Sequence, residues 1–191
     1  MTQQIQDTVV IGPASYALLG FQRNTKVSPC AKMTYRNKDL FDPARYGLNP
    51  VNSNSSNVRG YILEFKIIEQ MLALNKLTIS ANDAADISIE GIKSEYLTDY
   101  GYVYDVMNMK LEHVTGTLVV GKDYKFPQTF GLIPKITSYR TVQAIRVSGG
   151  RVIIVDDWSD YITRMANEGD GDVEVKVQAA FSKIFKRPEP L

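Results

Sequence analysis

The sequence predicts a mainly β (α+β) fold, an antiparallel β-sandwich or barrel with one packed amphipathic helix. Three observations carry this prediction. Apolar and polar residues alternate over several short stretches, turns rich in Gly and Pro separate them, and one longer segment carries a helix-like apolar stripe. Together these patterns suggest roughly seven to nine strands joined mostly by hairpins.

Taken in order, Thr8-Val-Val-Ile11 reads as a strand ended by Gly12-Pro13. Ala14 to Phe21 is apolar without a decisive period, and Val27 to Tyr35 has the makings of another strand. Arg36 to Gly60 is a long irregular loop (36–60) containing Asp42-Pro43, Gly47, Asn49-Pro50 and the polar run Asn52 to Asn57. Loops of this length are uncommon in compact domains and are usually functional or disordered. Phe41, Tyr46 and Leu48 anchor it, so it is expected to pack on its own domain or on a neighbour.

Tyr61 to Leu77 gives the strongest helix signal. Lys66, Glu69, Gln70, Ala73 and Lys76 share one face. Leu63, Ile67, Met71 and Leu74 line one flank, and Tyr61, Phe65, Ile68 and Leu72 the other. The expectation is a helix over about 58–77, mostly buried against a sheet. The alternation from Tyr61 to Ile67 also suits a strand, but the length favours the helix.

Beyond it the chain reads as strands. Asp86 to Ile92 alternates, and Tyr100 to Met107 and Met109 to Val120 are strand-like, the latter broken near Gly116. Gly121-Lys122-Asp123 reads as a turn. Phe126-Pro127 and Ile133-Pro134 flank a stretch unsuited to a central strand, because proline cannot donate to the ladder. Tyr139 to Val147 and Arg151 to Val155 form the clearest hairpin, with Gly149 and Gly150 supplying the positive φ that tight turns need. Asp157 to Asn167 reads as a short helix capped by Asp157 or Ser159 and stopped by Gly169. Asp172 to Phe185 alternates again, and the tail 186–191 reads as a C-terminal arm. The expectation is a single domain over 1–191.

Composition excludes several functions. The 191 residues carry 22 Lys+Arg against 21 Asp+Glu, so no net field draws the chain to nucleic acid or to anionic lipid. The longest uncharged stretch, Thr8 to Gln22, is too short to span a bilayer and contains Pro13. The preceding residues lack the positive charge of a signal peptide. Asn54-Ser55-Ser56 matches a glycosylation acceptor, which has meaning only in a secreted protein. Cys30 is the one cysteine and fits folding in a reducing cytoplasm as a small buried hydrophobe.

The candidate chemistries are weak. His113 is the one histidine, which excludes multi-histidine metal sites, and it reads as an ordinary strand residue. Asp170, Asp172 and Glu174 alternate within an acidic turn (167–174), but the calcium-loop pattern is incomplete. Asp156, Asp157 and Asp160 beside Trp158 suit capping better than sugar hydrolysis. No phosphate-binding glycine loop is present. Tyr100, Tyr102 and Tyr104 alternate on one strand face, which suits packing or an interface more than nucleic acid, since the flanking charges are acids.

No catalytic, cofactor or metal site is therefore expected. What remains is a structural, self-assembling subunit working through protein–protein contacts, with Phe41, Tyr46, Leu48, Tyr100, Tyr102 and Tyr104 as interface candidates. Asn52 to Asn57 and both terminal arms would be mobile in a lone domain, so neighbouring copies are expected to hold them. The specific expectation is a virion component of a tailed phage, a tail tube or related tail or capsid protein. Its partners would be copies of itself in a homo-oligomer and other virion proteins, with no specific nucleic acid and no membrane. This setting is reached by fold-level analogy. The alternative is a β-sandwich ligand- or carbohydrate-binding module using the tyrosine-lined face. An enzyme would need at least two of Asp99, Asp105, Asp156, Asp157 and Asp160 to converge in one pocket.

Overall fold

The computed structural model describes residues 5–23, 39–52, 55–97, 101–125 and 136–167. Within them the chain is mainly β with one helix, the class the sequence predicts. Strands β1 (Thr8–Ile11) and β2 (Ala14–Arg23) form a hairpin turning at Gly12-Pro13. After the irregular excursion come β3 (Tyr61–Ile68) and β4 (Met71–Ile79). Five short strands follow: β5 (Ser88–Ile89), β6 (Ile92–Lys93), β7 (Glu95–Leu97), β8 (Gly101–Tyr104) and β9 (Met109–Lys110). The chain then returns through β10 (Gly116–Tyr124), β11 (Tyr139–Ser148), β12 (Arg151–Asp157) and helix α1 (Ser159–Asn167).

The main sheet runs β12-β11-β10-β2-β1-β3-β4-β8-β7, and β12 also pairs with β4, which closes the sheet on itself. Closure is narrow. Arg151 pairs with Met71, the Leu72 N–H donates to the Gly150 carbonyl at 2.8 Å, and the Val152 N–H donates to that of Gln70 at 2.7 Å. Among the described strands only β1 and β3 pair in parallel, because a long connection separates β2 from β3. Strands β9 and β8 take up the remainder of the β4 edge.

Alternation sorts the side chains into two cores. Leu18, Leu63, Phe65, Leu118, Val120, Ile145 and Val147 fill the barrel. Leu19, Val119, Val142 and Ala144 point to the outer face, where α1 covers them. Trp158, just before α1, and Tyr161, Ile162 and Met165 on it recur at helical spacing and pack on this outer face, with Ile162 fully buried. This short helix is the packed helix of the fold.

The helix expected over about 58–77 is instead the β3–β4 hairpin. Leu63 and Phe65 point inward, while Glu64 and Lys66 alternate with them. Glu69 and Gln70 turn the chain with φ of 49° and 63°, two successive left-handed residues, as a type I′ turn requires. A bulge then offsets the ladder: Glu64 pairs with Lys76 but Phe65 with Leu74, so Asn75 is the extra residue. The inward Leu74 and Leu77 thereby stand three apart, which imitates a helical period. The turn carries avoidable strain, because both positions prefer Asn or Gly. Replacing Glu69 with Asn and Gln70 with Gly is expected to add about 1 kcal/mol of stability. Urea titration should show it as a higher midpoint at unchanged slope.

Three other expectations need correction or limits. Gly121-Lys122-Asp123 is not a turn but lies within β10. Gly121 is needed there because a Cβ would meet the Tyr139 ring at 2.7 Å and Leu19 Cδ1 at 2.9 Å. His113 lies in a turn between β9 and β10 instead of in a strand. The segments Val27 to Tyr35, Phe126 to Pro134, Asp172 to Phe185 and the tail 186–191 lie outside the described residues.

Candidate functional site

The irregular loop anchors itself on its own barrel. Phe41 and Leu48 are buried in the core, and Phe41 stacks on Tyr46 with ring centroids 5.3 Å apart. The Tyr46 hydroxyl donates to Met109 Sδ at 3.5 Å. Asp42 accepts from the Ala44 N–H, starting a single 3-10 turn over Pro43–Tyr46 that Gly47 ends at φ 79°. Phe41 and Leu48 are thus core residues and not interface residues: burial against their own domain leaves no surface for a neighbour. Tyr46 is half-buried by the same contacts.

The tyrosine row turns inward. Tyr104 is fully buried, and its hydroxyl donates to the Ala84 carbonyl at 3.0 Å and the Ile87 carbonyl at 2.9 Å. Burial raises its pKa above the ordinary tyrosine value. Tyr102 is half-buried and meets Tyr96 edge to face at 5.2 Å. Tyr100 lies outside the described residues. The face shared by Tyr102 and Tyr104 is the core-side face, so Tyr104 is corrected from interface candidate to core residue. Its hydroxyl satisfies carbonyls of the segment before β5 and presents nothing to a sugar.

Among the described candidates, Asp105, Asp156 and Asp157 are occupied locally, and none of them nor Asp160 lines either of two open depressions. Asp156 pairs with Arg146 at 3.0 Å, both mostly buried. Asp105 pairs with Lys76 at 3.1 Å and also accepts the Val106 N–H. Asp157 accepts the Ser159 N–H at 2.8 Å at the start of α1. Cys30, Asp99 and the acidic turn beyond Asn167 lie outside the described residues. Among the described residues no three His, Cys, Asp or Glu side chains are placed to hold a metal ion. The two open depressions share Met71 and Lys110; the first is also lined by Glu112 and Arg151, and neither is lined by Asp105, Asp156, Asp157 or Asp160. No helix among the described residues is long and apolar enough to cross a membrane.

Asp157 gives the outer layer a pH dependence. Hydrogen bonds from Ser159, first its hydroxyl and then its backbone N–H, hold this carboxyl below its ordinary 3.8. The ionised form therefore favours the folded state. Its contribution is complete above the ordinary value and is lost as pH falls through the lower folded value. Trp158, the one tryptophan, reports on this helix start. Its fluorescence should change on acidification in the native chain, and Asp157→Asn should remove the acid-side component.

What the fold leaves exposed is more informative. The exposed large apolar side chains are Val51, Val58, Tyr96, Leu97, Val106, Ile153 and Val155. Val51, Val58 and Val106 sit on loops. The other four sit on the strands that end the sheet path: Tyr96 (62% exposed) and Leu97 (47%) on β7, Ile153 (51%) and Val155 (46%) on β12. Val155 pairs with Ile145, whose side chain fills the barrel, and paired residues project to the same face. Val155 is thus a core-facing valine left uncovered, because β12 runs on past the β3–β4 turn beyond its last contact with β4. The sequence shows Ile153 and Val155 as ordinary strand hydrophobes and leaves Tyr96 and Leu97 outside every expected strand. Only the topology shows that nothing covers them among the described residues.

No protein-family model, curated protein or solved structure matches the chain.

Proposed function

We propose that this protein is a structural subunit that assembles with copies of itself and works through protein–protein contacts. The observation that carries this reading is the concentration of exposed apolar side chains on β7 and β12, the two strands that end the sheet. Soluble proteins usually blunt such edges with Lys, Pro or covering loops, since bare edges pair with other chains. Here each edge presents two large apolar side chains. Among the described residues the barrel beneath is filled with side chains.

The setting we propose is a virion, with the chain as a component of a tailed phage's tail or capsid. A β-rich subunit with a single cysteine, a long anchored loop and no recognisable chemical motif supports this by analogy of architecture. Negative-stain electron microscopy of the purified protein tests it. Rings, tubes or shells are the expected images, and a field of single globules at every concentration would refute it.

A further inference from the structure

We propose that copies join head to tail, β7 of one seated against the open stretch of β12 of the next. This rests on the assembly reading above and names its two contact surfaces.

The two edges complement each other in three respects. The first is backbone. β7 has β8 on one side and, among the described residues, no strand on the other. β12 pairs with β11 along its length but meets β4 only at Arg151, so among the described residues its far edge beyond Val152 is equally bare. Strand addition would satisfy both rows of N–H and C=O groups.

The second is apolar surface. Val155 faces the core side with nothing over it among the described residues, and Ile153, the extra residue of the β11–β12 bulge, lies two residues before it. Tyr96 and Leu97 are the most exposed aromatic and leucine side chains of the described chain. They point to opposite faces of β7, and Tyr96, paired with Tyr102 on the core-side face, would cover Val155 as a strand of the same barrel would. The third is charge. Glu95 opens β7 and Arg151 opens β12, both are exposed, and neither has an ion-pair partner among the described residues. One acid on one edge and one base on the other favour contact between unlike edges, while like edges would bring like charges together.

Such a contact is heterologous. Each copy offers one β7 and one β12, so repetition gives a closed ring or an open helical stack, according to the rotation per step.

Two charge insertions at exposed positions test this. Leu97→Lys removes the β7 surface and Val155→Lys the β12 surface, and thermal unfolding checks that each variant still folds. Sedimentation should then show each variant alone as a monomer, with its self-affinity lowered at least about tenfold by the buried charge. An equimolar mixture should give heterodimers and nothing larger, because one variant keeps an intact β12 and the other an intact β7. If either variant alone still dimerises, the contact joins like edges and the proposal is wrong. If the native chain and both variants assemble equally, the assembly reading stands but these edges are not its surfaces. If the native chain does not assemble, both fail. A charge exchange guards against misfolding of the lysine variants. Glu95→Arg and Arg151→Glu should each weaken assembly, and the double exchange should restore it.

Discussion

Asp7→Ala is expected to destabilise the protein by about 3–5 kcal/mol, because it strands a two-thirds-buried arginine and the buried Leu63 N–H together. The Asp7 side chain has no solvent exposure, and Arg59 clasps it through two hydrogen bonds of 2.7 and 3.0 Å. Asp7 also accepts the Leu63 N–H at 2.9 Å, while its backbone carbonyl accepts the Leu18 N–H at 2.8 Å. One residue thus ties β2, β3 and the loop before β3 together. The Arg59 guanidinium also lies 4.9 Å over the Tyr61 ring, a cation–π contact that assists the clasp. Removing the carboxylate leaves Arg59, two-thirds buried, with no counter-charge in place of the lost pair. Changing both partners together, Asp7→Leu with Arg59→Met, should recover part of the loss, since no lone charge remains. Equilibrium urea unfolding measures all three variants. A loss under about 1 kcal/mol for Asp7→Ala would mean that water reaches the pair, as at surface salt bridges.

Phe65→Ala should cost a similar amount for a different reason. Phe65 is fully buried in the barrel core among Leu63, Leu74 and Leu77. Truncation loses the transfer free energy of the ring and leaves a cavity that strands on every side prevent from collapsing, about 3–5 kcal/mol in total. Ile153→Ala provides the contrast. Its side chain is half in water, so folding stability should change by no more than about 0.5 kcal/mol. Any effect of Ile153 should appear in association instead. A large stability loss at Ile153 would show that it is already packed within its own chain.

The elements legible in the sequence are those whose local signals agree with the fold. The β11–β12 hairpin is plain because Gly149 and Gly150 occupy left-handed positions that favour glycine. Helix α1 is legible from its start, where Asp157 caps the Ser159 N–H, and the structure adds the apolar face of Trp158, Tyr161, Ile162 and Met165. The β3–β4 hairpin is hidden for two physical reasons. Glu69-Gln70 gives none of the usual signals of the turn it makes, and the bulge at Asn75 breaks the two-residue period. Gly121 misleads in another way: it serves close packing against Tyr139 and not a change of direction.

The candidate site was less legible. Alternation correctly puts Tyr102 and Tyr104 on one face, but it does not say which face looks inward, and here that face meets the core. Phe41 and Leu48 are recognisable as anchors, and the structure supplies what they anchor to. Val155 looks like any strand hydrophobe and Leu97 falls outside every expected strand, and their exposure depends on which strands stop short beside them. That depends on long-range pairing, which no local pattern encodes.

Sedimentation equilibrium of the native chain across a wide concentration range tests the central claim most directly. Association through complementary edges predicts an average mass that rises with concentration toward a multiple of one chain, and that falls back toward a single chain in Leu97→Lys. A mass fixed at one chain throughout would contradict it.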